Sequence, residues 1–371
     1  MYNKFISSTK EIISELKIGN MIILVDSENR ENEGDIILSS DFVTPNAINF
    51  MSKYARGLIC MTLTEKHCIQ LKLDMMTKKN NSSFGTNFTV SIEAANGVTT
   101  GISASDRAHT IKVASSKKAK PSDIVQPGHI FPLQAKKGGV LIRGGHTEAG
   151  CDLTKLAGLT PSAVICEILN DDGTMARLPD LIKFSKLHNI KIGTISNLIC
   201  YRYKYENIIK RKAEYNINTL YGNFKIIVYI DKINNDIHLT LIYGSINPNK
   251  IIPIWLNQQL SIFDFLHAKT SSCTQNNISS IMKIMKLIKN GILILVNCEY
   301  SINSIFNQLK NFNIIDEKNN IIQPKDHKDT NLVHMNNINA QILKDLNIKK
   351  VKLMTHLNDI SPFLNFNIKI K

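Results

Sequence analysis

The sequence predicts an α+β protein of two consecutive domains: a three-layer αβα domain with a mixed sheet, followed by a smaller αβ domain. Three observations support this prediction. With 371 residues, of which 43% are apolar, the chain is long enough to bury two cores. Apolar runs of strand length alternate with helical patterns along most of the chain. The composition also changes near residue 200, because 15 of the 18 glycines precede it and 27 asparagines follow it.

The elements of the first domain, residues 1–200, follow in order. Ser8 and Glu11 form a capping-box pattern that predicts a short opening helix. The run MIILVD (21–26) predicts a buried strand that leads into an acidic loop, and Thr44-Pro45 predicts an N-capped helix. Further strands are expected at 58–63, 88–93 and 163–169, and further helices near 106–115, 147–157 and 179–188.

The second domain, residues 219–371, repeats this alternation of strands and helices on a smaller scale. Residues 201–218 carry much charge and no glycine or proline, so we expect a linker that is partly helical. Most of the formal net charge of +14 lies in this second half. Its lysines are interleaved with Ile and Asn rather than clustered with aromatic residues, so drift in base composition explains the charge better than a nucleic-acid surface does.

The cysteines and the apolar runs limit the cellular location. Seven cysteines, an odd number without a CxxC pair, predict reduced thiols in the cytoplasm and no cysteine-based metal site. The first residues contain no apolar signal region, and the apolar run 291–296 is far shorter than the ~20 residues that a membrane helix needs. We therefore expect neither secretion nor membrane insertion.

An acidic loop, residues 28–35, follows the first predicted strand. It contains four carboxylates and one guanidinium, and oxygen-rich sites of this kind suit hard cations such as Mg²⁺. From charge alone, a solvated acidic loop is an equally good interpretation, although ligand sites in αβ sheets concentrate at strand ends. The charged residues are Glu28, Arg30, Glu31, Glu33 and Asp35, and Gly34 allows a tight backbone path.

A second cluster, RGGHTE (143–148), follows the apolar run 140–142, which we expect to be a strand, and precedes a helical pattern. A glycine pair before a helix N-terminus favours anion binding, with Arg143 as a forked donor and Thr147 as a cap, so a phosphate fits well. His146 would lie beside that anion as a metal ligand or a proton carrier. A lone histidine is nevertheless more often structural than functional.

Three further polar positions stand out. Glu167 interrupts an otherwise apolar strand, where a buried carboxylate is costly unless it is paired or used. His129 lies in a Pro-Gly-His sequence typical of a solvent-facing turn, and in the segment 99–107 we expect an ordinary helix cap at Ser105 or Asp106. Together with the two clusters, these residues predict metal-assisted acid–base chemistry on a small phosphorylated metabolite.

Five motifs, in this order, resemble those of 3,4-dihydroxy-2-butanone 4-phosphate synthase, an enzyme family of riboflavin biosynthesis. The resemblance covers most of residues 5–200. It implies a lyase that converts D-ribulose 5-phosphate into L-3,4-dihydroxy-2-butanone 4-phosphate and formate, requires Mg²⁺ or Mn²⁺, uses no organic cofactor and forms a homodimer. The motifs are ENRENEGD (28–35), TTGISASDRA (99–108), QPGHIFPL (126–133), RGGHTEAGCDL (143–153) and CEILNDDGTMAR (166–177).

The resemblance also implies which residues bind the metal and the substrate. The metal would be held by Glu31 and His146, which agrees with the pairing of the acidic loop and the histidine cluster. The sugar phosphate would contact Arg30, Glu31, Asp35, Arg143, Gly144, Gly145, His146, Thr147 and Glu167.

Catalytic roles follow partly from the same resemblance. His129 and Glu167 match positions regarded in the family as essential for catalysis. A base must remove a proton next to the ketone while the metal polarises the neighbouring oxygens. We hypothesise that Glu33 or Asp35 removes this first proton, and that Glu167 acts later as an acid or a base with a pKa raised by burial.

The second half resembles GTP cyclohydrolase II more faintly. That family binds a catalytic zinc through three cysteines and the GTP triphosphate through arginines, whereas residues 251–277 retain only Cys273 and residues 297–304 contain no arginine. We therefore expect no zinc and no cyclohydrolase activity, and a structural remnant is favoured over a new binding role. A bifunctional riboflavin enzyme and a nucleic-acid-binding regulator are the alternatives.

Overall fold

The chain divides into two compact units, Met1–Arg202 and Tyr203–Lys371, and each contains a mixed sheet flanked by helices. The α+β class predicted from the sequence is therefore confirmed. The computed structural model describes residues 3–248, 250–257, 278–296, 328–355, 357 and 359–371. The expectations that concern Cys273 and residues 297–304 lie outside this part of the chain.

The sheet of the first unit has the strand order β4-β5-β3-β6-β2-β1-β7. Its strands are β1 (Ile22–Val25), β2 (Gly34–Ser39), β3 (Cys60–Thr64), β4 (Ile92–Ala94), β5 (Ile124–Ala135), β6 (Ala163–Glu167) and β7 (Lys191–Thr194). The helices are α1 (Thr9–Lys17), α2 (Pro45–Phe50), α3 (Glu65–Gln70), α4 (Ala104–Ser115), α5 (His146–Leu156), α6 (Leu178–His188) and α7 (Ile195–Tyr205). Because β1 is antiparallel to β2 and parallel to β7, the sheet is mixed.

Helices cover both faces of this sheet, which gives three layers. Successive side chains of a strand point to opposite faces, so Ile23 and Val25 enter one core and Leu24 faces the other side. Helices α2, α4 and α6 contribute to the core around Ile23. Helices α1 and α5 pack on each other and on the opposite face, where Ile12 approaches Leu24 and Gly193.

Two helices begin where the sequence predicts. The capping box forms at Ser8, whose N–H donates to the Glu11 carboxylate at 2.8 Å while the Glu11 N–H donates to the Ser8 hydroxyl at 3.3 Å. The Thr44 hydroxyl accepts from the Ala47 N–H at 3.1 Å and caps α2. These caps satisfy N–H groups that the first helical turn leaves without partners.

The predicted cap of α4 is wrong in position. The cap is Ser103, whose hydroxyl accepts from the Asp106 N–H at 3.0 Å, rather than Ser105 or Asp106 itself. The Asp106 carboxylate instead accepts from the N–H groups of Thr99 and Gly101. Asp106 therefore fastens the preceding loop to the start of the helix.

The apolar run 140–142 is not the strand that the sequence suggested. Residues Gly139–Leu141 form a 3₁₀ turn instead. Gly138 and Gly139 have φ angles of +95° and +65°, which turn the chain sharply and which side chains with a Cβ rarely adopt. Local apolarity alone does not reveal this turn.

His129 lies in a strand and not in the solvent-facing turn expected from its sequence. Ile92 and Glu93 are neighbours on β4. Their partners on β5 are Ile130 and Val125, so the residues between these two form a bulge that contains His129. A bulge also accommodates a proline, which cannot donate to the ladder.

The second unit contains a sheet of order β14-β13-β11-β12-β10-β9-β8. Its strands are β8 (Ile209–Thr219), β9 (Gly222–Asp231), β10 (Ile237–Tyr243), β11 (Ile252–Asn257), β12 (Gly291–Leu295), β13 (Lys350–Leu353) and β14 (Lys369–Ile370). The helices are α8 (Ile278–Ile288), α9 (Lys328–Asp345) and α10 (Ser361–Asn365). In the described part of the chain, no helix combines the length and the apolar character needed to cross a bilayer.

Residues 201–218 are not a linker, although the sequence suggested one. Their first residues complete α7, and from Ile209 onward they form β8, which pairs with β9 at the edge of the second sheet. Charged side chains are typical of edge strands, because they discourage pairing with other chains. The high charge of this segment therefore reflects its place at an edge.

Candidate active site

The acidic loop between β1 and β2 is folded around Asp26. One oxygen of its buried carboxylate accepts from the Glu33 N–H at 2.8 Å, and the other accepts from the Glu31 N–H at 3.2 Å and from Arg30 at 2.7 Å. The Arg30 guanidinium also contacts the Glu31 carboxylate, so it lies between two acids. This network holds the loop in one conformation, which a solvated acidic loop would not need.

His146 is the first residue of α5 and is only 5% exposed. Its Nε2 lies 3.0 Å from the carbonyl oxygen of Leu24. A carbonyl can only accept, so Nε2 carries the proton and Nδ1 keeps its lone pair. Nδ1 faces two carboxylates, at 4.0 Å from Glu31 and 3.7 Å from Asp35. The arrangement presents a neutral imidazole nitrogen to an acidic pocket, as in metal-binding histidines.

Asp26, Glu31 and His146 can direct one ligand atom each to a common point, because these atoms all lie within 4.8 Å of one another. Glu31 and His146 are the metal ligands that the sequence predicted. Asp26 was missed, although a carboxylate directly after a buried strand is the signal that drew attention to the loop. Since both Asp26 oxygens already accept hydrogen bonds, Glu31 and His146 are the better donors for a cation.

Asp35 gives an independent test of whether a ligand fits here. Its Oδ1 is buried and has no hydrogen-bond partner among the residues that the structure describes. A buried carboxylate oxygen without a partner is costly, and a cation or a substrate hydroxyl would satisfy it. The donor set of two carboxylates and one neutral imidazole therefore fits a divalent cation of the Mg²⁺ or Mn²⁺ kind.

Burial displaces the pKa values of this cluster. The pKa of Asp35 is raised well above its ordinary value by burial and by the nearby charges of Glu167 and Glu31. Burial also raises the pKa of Glu33, with the Glu31 charge adding to it, and it lowers the pKa of His146 to about 4. His146 is therefore neutral at physiological pH, and the acids hold protons more tightly than usual.

Glu167 reaches the same cluster through strand pairing. It is the last residue of β6 and lies directly opposite Asp35 on β2. One carboxylate oxygen accepts from the Leu58 N–H at 2.9 Å, and burial raises the pKa of the group. Gly57 makes room for it, because a Cβ there would lie 2.4 Å from the Glu167 carbonyl oxygen.

The glycine–histidine cluster differs in part from its prediction. Arg143 donates to Glu148 at 2.6 Å, to the Thr86 hydroxyl at 2.7 Å and to the Phe84 carbonyl at 3.0 Å, so three of its five N–H donors are used within the chain. Thr147 is buried in the first turn of α5 and does not cap it. The cap position is Gly145, without a side-chain acceptor, and such a helix start suits an anion.

His129 belongs to a different contact. Its Nδ1 lies 2.7 Å from Glu93 on the neighbouring strand, and its side chain is 44% exposed. Within the described residues, His129 makes no hydrogen bond or ion pair to the cluster of Glu31, Asp35 and His146. Sequence reasoning missed Glu93, even though it is the acid that ends the predicted strand 88–93.

Comparison with known proteins agrees with this description. Residues 10–201 match the family model of 3,4-dihydroxy-2-butanone 4-phosphate synthase, and residues 210–371 match that of GTP cyclohydrolase II. A 3,4-dihydroxy-2-butanone 4-phosphate synthase of Photobacterium phosphoreum is 46% identical over 350 residues, which are 94% of this chain and 93% of the relative. 

Two solved structures are also similar. The crystal structure of a two-domain 3,4-dihydroxy-2-butanone 4-phosphate synthase from A. baumannii has a TM-score of 0.77 at 36% identity and covers 98% of this chain and 99% of its own. A 3,4-dihydroxy-2-butanone 4-phosphate synthase in complex with two magnesium ions has a TM-score of 0.52 at 37% identity. It covers 54% of this chain and 98% of its own.

Fold, site and relatives together define the class of protein as an enzyme, a lyase. The chain belongs to the 3,4-dihydroxy-2-butanone 4-phosphate synthase family of riboflavin biosynthesis, and its second unit matches the GTP cyclohydrolase II family.

Proposed function

We propose that the chain converts D-ribulose 5-phosphate into L-3,4-dihydroxy-2-butanone 4-phosphate and formate with the help of Mg²⁺ or Mn²⁺. The observation that carries this proposal is Asp35, which lies beside His146 and opposite Glu167 and whose buried Oδ1 has no hydrogen-bond partner in the described part of the chain. Such a group is retained at a cost to stability, and pKa values displaced by burial and neighbouring charges cluster at functional sites.

Glu31 and His146 are proposed to hold the divalent ion. Glu31 offers carboxylate oxygens, and His146 offers the Nδ1 that its hydrogen bond to the Leu24 carbonyl leaves without a proton. A divalent ion there would polarise the ketone and the adjacent hydroxyl oxygens of the sugar. The related synthase described with two magnesium ions supports this choice.

The remaining acids are proposed to move protons. Glu33 or Asp35 would remove the proton next to the ketone, and Glu167 would act in a later step as an acid or a base. The raised pKa values of all three support such roles, because a group whose pKa lies nearer neutrality exchanges protons more readily there. Loss of water, a skeletal shift and rehydration would then precede release of formate. The five carbons of the substrate end as the four carbons of the dihydroxybutanone phosphate and the one carbon of formate.

The sugar phosphate is proposed to lie between the acidic loop and the start of α5. The N–H groups at that helix N-terminus have no side-chain cap and therefore favour the phosphate. Arg30 adds a positive charge beside them. The proposed contacts are Arg30, Glu31, Asp35, Arg143, Gly144, Gly145, His146, Thr147 and Glu167, with His129 as a further catalytic residue.

Release of formate tests the reaction. Purified protein is incubated with ribulose 5-phosphate and Mg²⁺, with EDTA and the His146→Ala variant as controls. We expect formate that depends on the metal and disappears in the variant. Absence of formate from folded wild-type protein, checked by circular dichroism, would refute the proposed reaction.

The second unit is proposed to lack cyclohydrolase activity. Residues 203–371 contain two cysteines, Cys273 and Cys298, one fewer than the three that the GTP cyclohydrolase II family uses for zinc. We expect no GTP turnover and no zinc at one equivalent per chain after exposure to zinc and gel filtration. Either stoichiometric zinc or formation of product from GTP contradicts this proposal.

We also propose that the protein is a homodimer in the cytoplasm, as the resemblance implies. Light scattering is expected to give twice the chain mass of 41.7 kDa. A mass of one chain at micromolar concentration would refute the dimer.

A further inference from the structure

The carboxylate of Glu93 is held by two different donors. Glu93 is the central residue of β4 and is 7% exposed. Its Oε1 accepts from the Thr110 hydroxyl at 2.9 Å, and its Oε2 lies 2.7 Å from Nδ1 of His129. The Thr110 oxygen in turn accepts from the Ala94 N–H at 3.1 Å, so its own proton is directed to Glu93. These two hydrogen bonds fix the carboxylate through Oε1, the oxygen that does not contact the histidine.

The loop 99–101 closes over this pair. Gly101 has a φ of +86°, and a Cβ there would lie 1.8 Å from Oε2 of Glu93 and 2.6 Å from Nδ1 of His129. Asp106 holds the loop in place by accepting from the Gly101 N–H at 3.0 Å. The motif TTGISASDRA, which the proposed metal and substrate contacts leave without a role, therefore packs against the Glu93–His129 hydrogen bond.

We infer that Glu93 is a positioning residue that fixes the ring orientation and the tautomer of His129. This inference rests on the proposed function, in which His129 is catalytic. An ionised Glu93 can only accept, so Nδ1 carries the proton and the lone pair lies on Nε2. Among the described residues Nε2 has no hydrogen-bond partner, and the side chain is 44% exposed. Glu93 therefore leaves Nε2 as the proton-accepting nitrogen of His129.

A purely structural role does not explain why the Glu93 carboxylate is constrained by several groups. Hydrogen-bonded charge pairs with one exposed member contribute little to stability. Here a second donor, Thr110, and a glycine that permits close approach both constrain the carboxylate. The same logic operates where an acid holds a catalytic histidine in the correct tautomer.

The test compares Glu93→Gln with Glu65→Gln, a control that removes an exposed glutamate from the same unit. The amide can donate to Nδ1 and so favours the other tautomer. We expect kcat for formate release to fall about 10- to 100-fold in Glu93→Gln, as for loss of other groups that orient a functional histidine, with KM changed less than about twofold. The control is expected to match the wild type in both constants.

An NMR spectrum measures the tautomer of His129 independently of activity. Protein with ¹⁵N-labelled histidine is measured in alkaline buffer, where histidine rings are neutral, and the signals of His129 are identified from a His129→Gln sample. The wild type is expected to show protonated Nδ1, and Glu93→Gln protonated Nε2. An unchanged tautomer in a folded Glu93→Gln protein, or an unchanged kcat, would overturn the inference.

Thr110→Val provides a second variant if Glu93→Gln does not fold. It removes the hydrogen bond to Oε1 and keeps the shape of the side chain. We expect a smaller loss of kcat, about tenfold, again with little change in KM; wild-type kcat in this variant would overturn the inference. Failure of the proposed reaction would appear as wild-type protein without formate release, whereas the tautomer measurement needs no turnover.

Discussion

Two buried aspartates, one in each unit, have opposite electrostatic surroundings. Asp35 lies near four further acids, and burial together with those charges raises its pKa well above the ordinary value. Asp231 is equally buried, but it accepts from His334 at 2.8 Å and from the Ile233 N–H at 2.7 Å. Burial alone would raise the pKa of Asp231, and these hydrogen bonds outweigh it and leave the pKa lowered.

The difference shows how a structural acid and a functional acid can be told apart. The Asp231 carboxylate is satisfied, and His334 is bonded on its other side to the Tyr203 hydroxyl at 2.6 Å. Asp35, by contrast, keeps one oxygen for which the described residues offer no hydrogen-bond partner. A satisfied buried group stabilises its fold, whereas a buried group left without partners persists where a ligand completes the site. We therefore expect changes at the Asp35 cluster to affect activity and changes at Asp231 to affect stability.

Loss of a proposed metal ligand should have the largest effect. Glu31→Gln keeps the shape of the side chain but removes its charge, and it is expected to lower formate release by about 10³-fold, since metal polarisation is worth several kcal/mol. EDTA should abolish wild-type activity, and added Mg²⁺ should restore it. The matched control is Glu28→Gln, an exposed glutamate of the same loop. Equal activity of the two variants would show that Glu31 is no ligand.

Glu167→Gln tests the proton-transfer role. We expect a fall in kcat of about 10²-fold, the lower end of what general acid–base catalysis contributes. Burial raises the pKa of Glu167, so a limb of the wild-type pH–rate profile should lie above the ordinary glutamate range. If Glu167 acts as a base, activity rises with pH through this limb, and if it acts as an acid, activity falls. A variant profile of the same shape as the wild type would contradict both roles.

Removal of Asp231 should affect the stability of the second unit. Asp231→Ala leaves His334 without its acceptor, and loss of one partner of a buried pair costs about 3 kcal/mol. Trp255 is the only tryptophan and lies buried in β11, so its fluorescence reports unfolding of this unit. Asp359→Ala, which removes an exposed aspartate of the same unit, is the control. Similar urea midpoints for both variants would contradict the structural role.

The pH dependence of this effect has a definite sign. A carboxylate whose pKa is lower in the folded state stabilises the fold above its unfolded-state pKa, and this stabilisation disappears as the pH falls through the folded-state pKa. The advantage of the wild type over Asp231→Ala is therefore expected to be present at pH 7 and to shrink below about pH 4.

The sequence was sufficient for the parts of the site that depend on neighbours along the chain. The acidic loop and His146 were singled out because carboxylates after a strand and a histidine at a helix start have recognisable chemistry, and the choice of Glu31 within the loop came from the family resemblance. The pairing of Asp35 with Glu167 could not be predicted, since it depends on the register of β2 with β6, and Asp35 was placed in the acidic loop, where no strand was predicted. Such pairing joins residues far apart in sequence.

Arg143 and His129 show a second limit of prediction from the sequence. Arg143 was expected to be a phosphate donor, and its additional bonds to Phe84 and Thr86, which are distant in sequence, were not predicted. His129 was assigned to a turn because Pro-Gly sequences favour turns, whereas a bulge places it beside Glu93. Tertiary contacts override local propensity where residues distant in sequence supply the hydrogen-bond partners.

The smallest expected effect is a gain in stability from Asp35→Asn. Because the pKa of Asp35 is raised in the folded state, its contribution to stability is fully present below the unfolded-state pKa and is lost as the pH rises through the folded-state pKa. At pH 8 the wild type bears this cost, and the neutral amide does not. We expect Asp35→Asn to stabilise the metal-free first unit by about 1 kcal/mol, or roughly 2–4 °C for a unit of this size.

Heat unfolding in EDTA, followed by circular dichroism, measures this gain, and Trp255 fluorescence provides an internal control because the second unit should unfold unchanged. As the pH falls, the raised pKa of the folded-state Asp35 carboxyl favours uptake of a proton, so the difference between the two proteins should shrink. A variant that is less stable than the wild type at pH 8 would mean that Asp35, like Asp231, is held by stabilising contacts. The contrast between the two aspartates would then no longer separate function from structure.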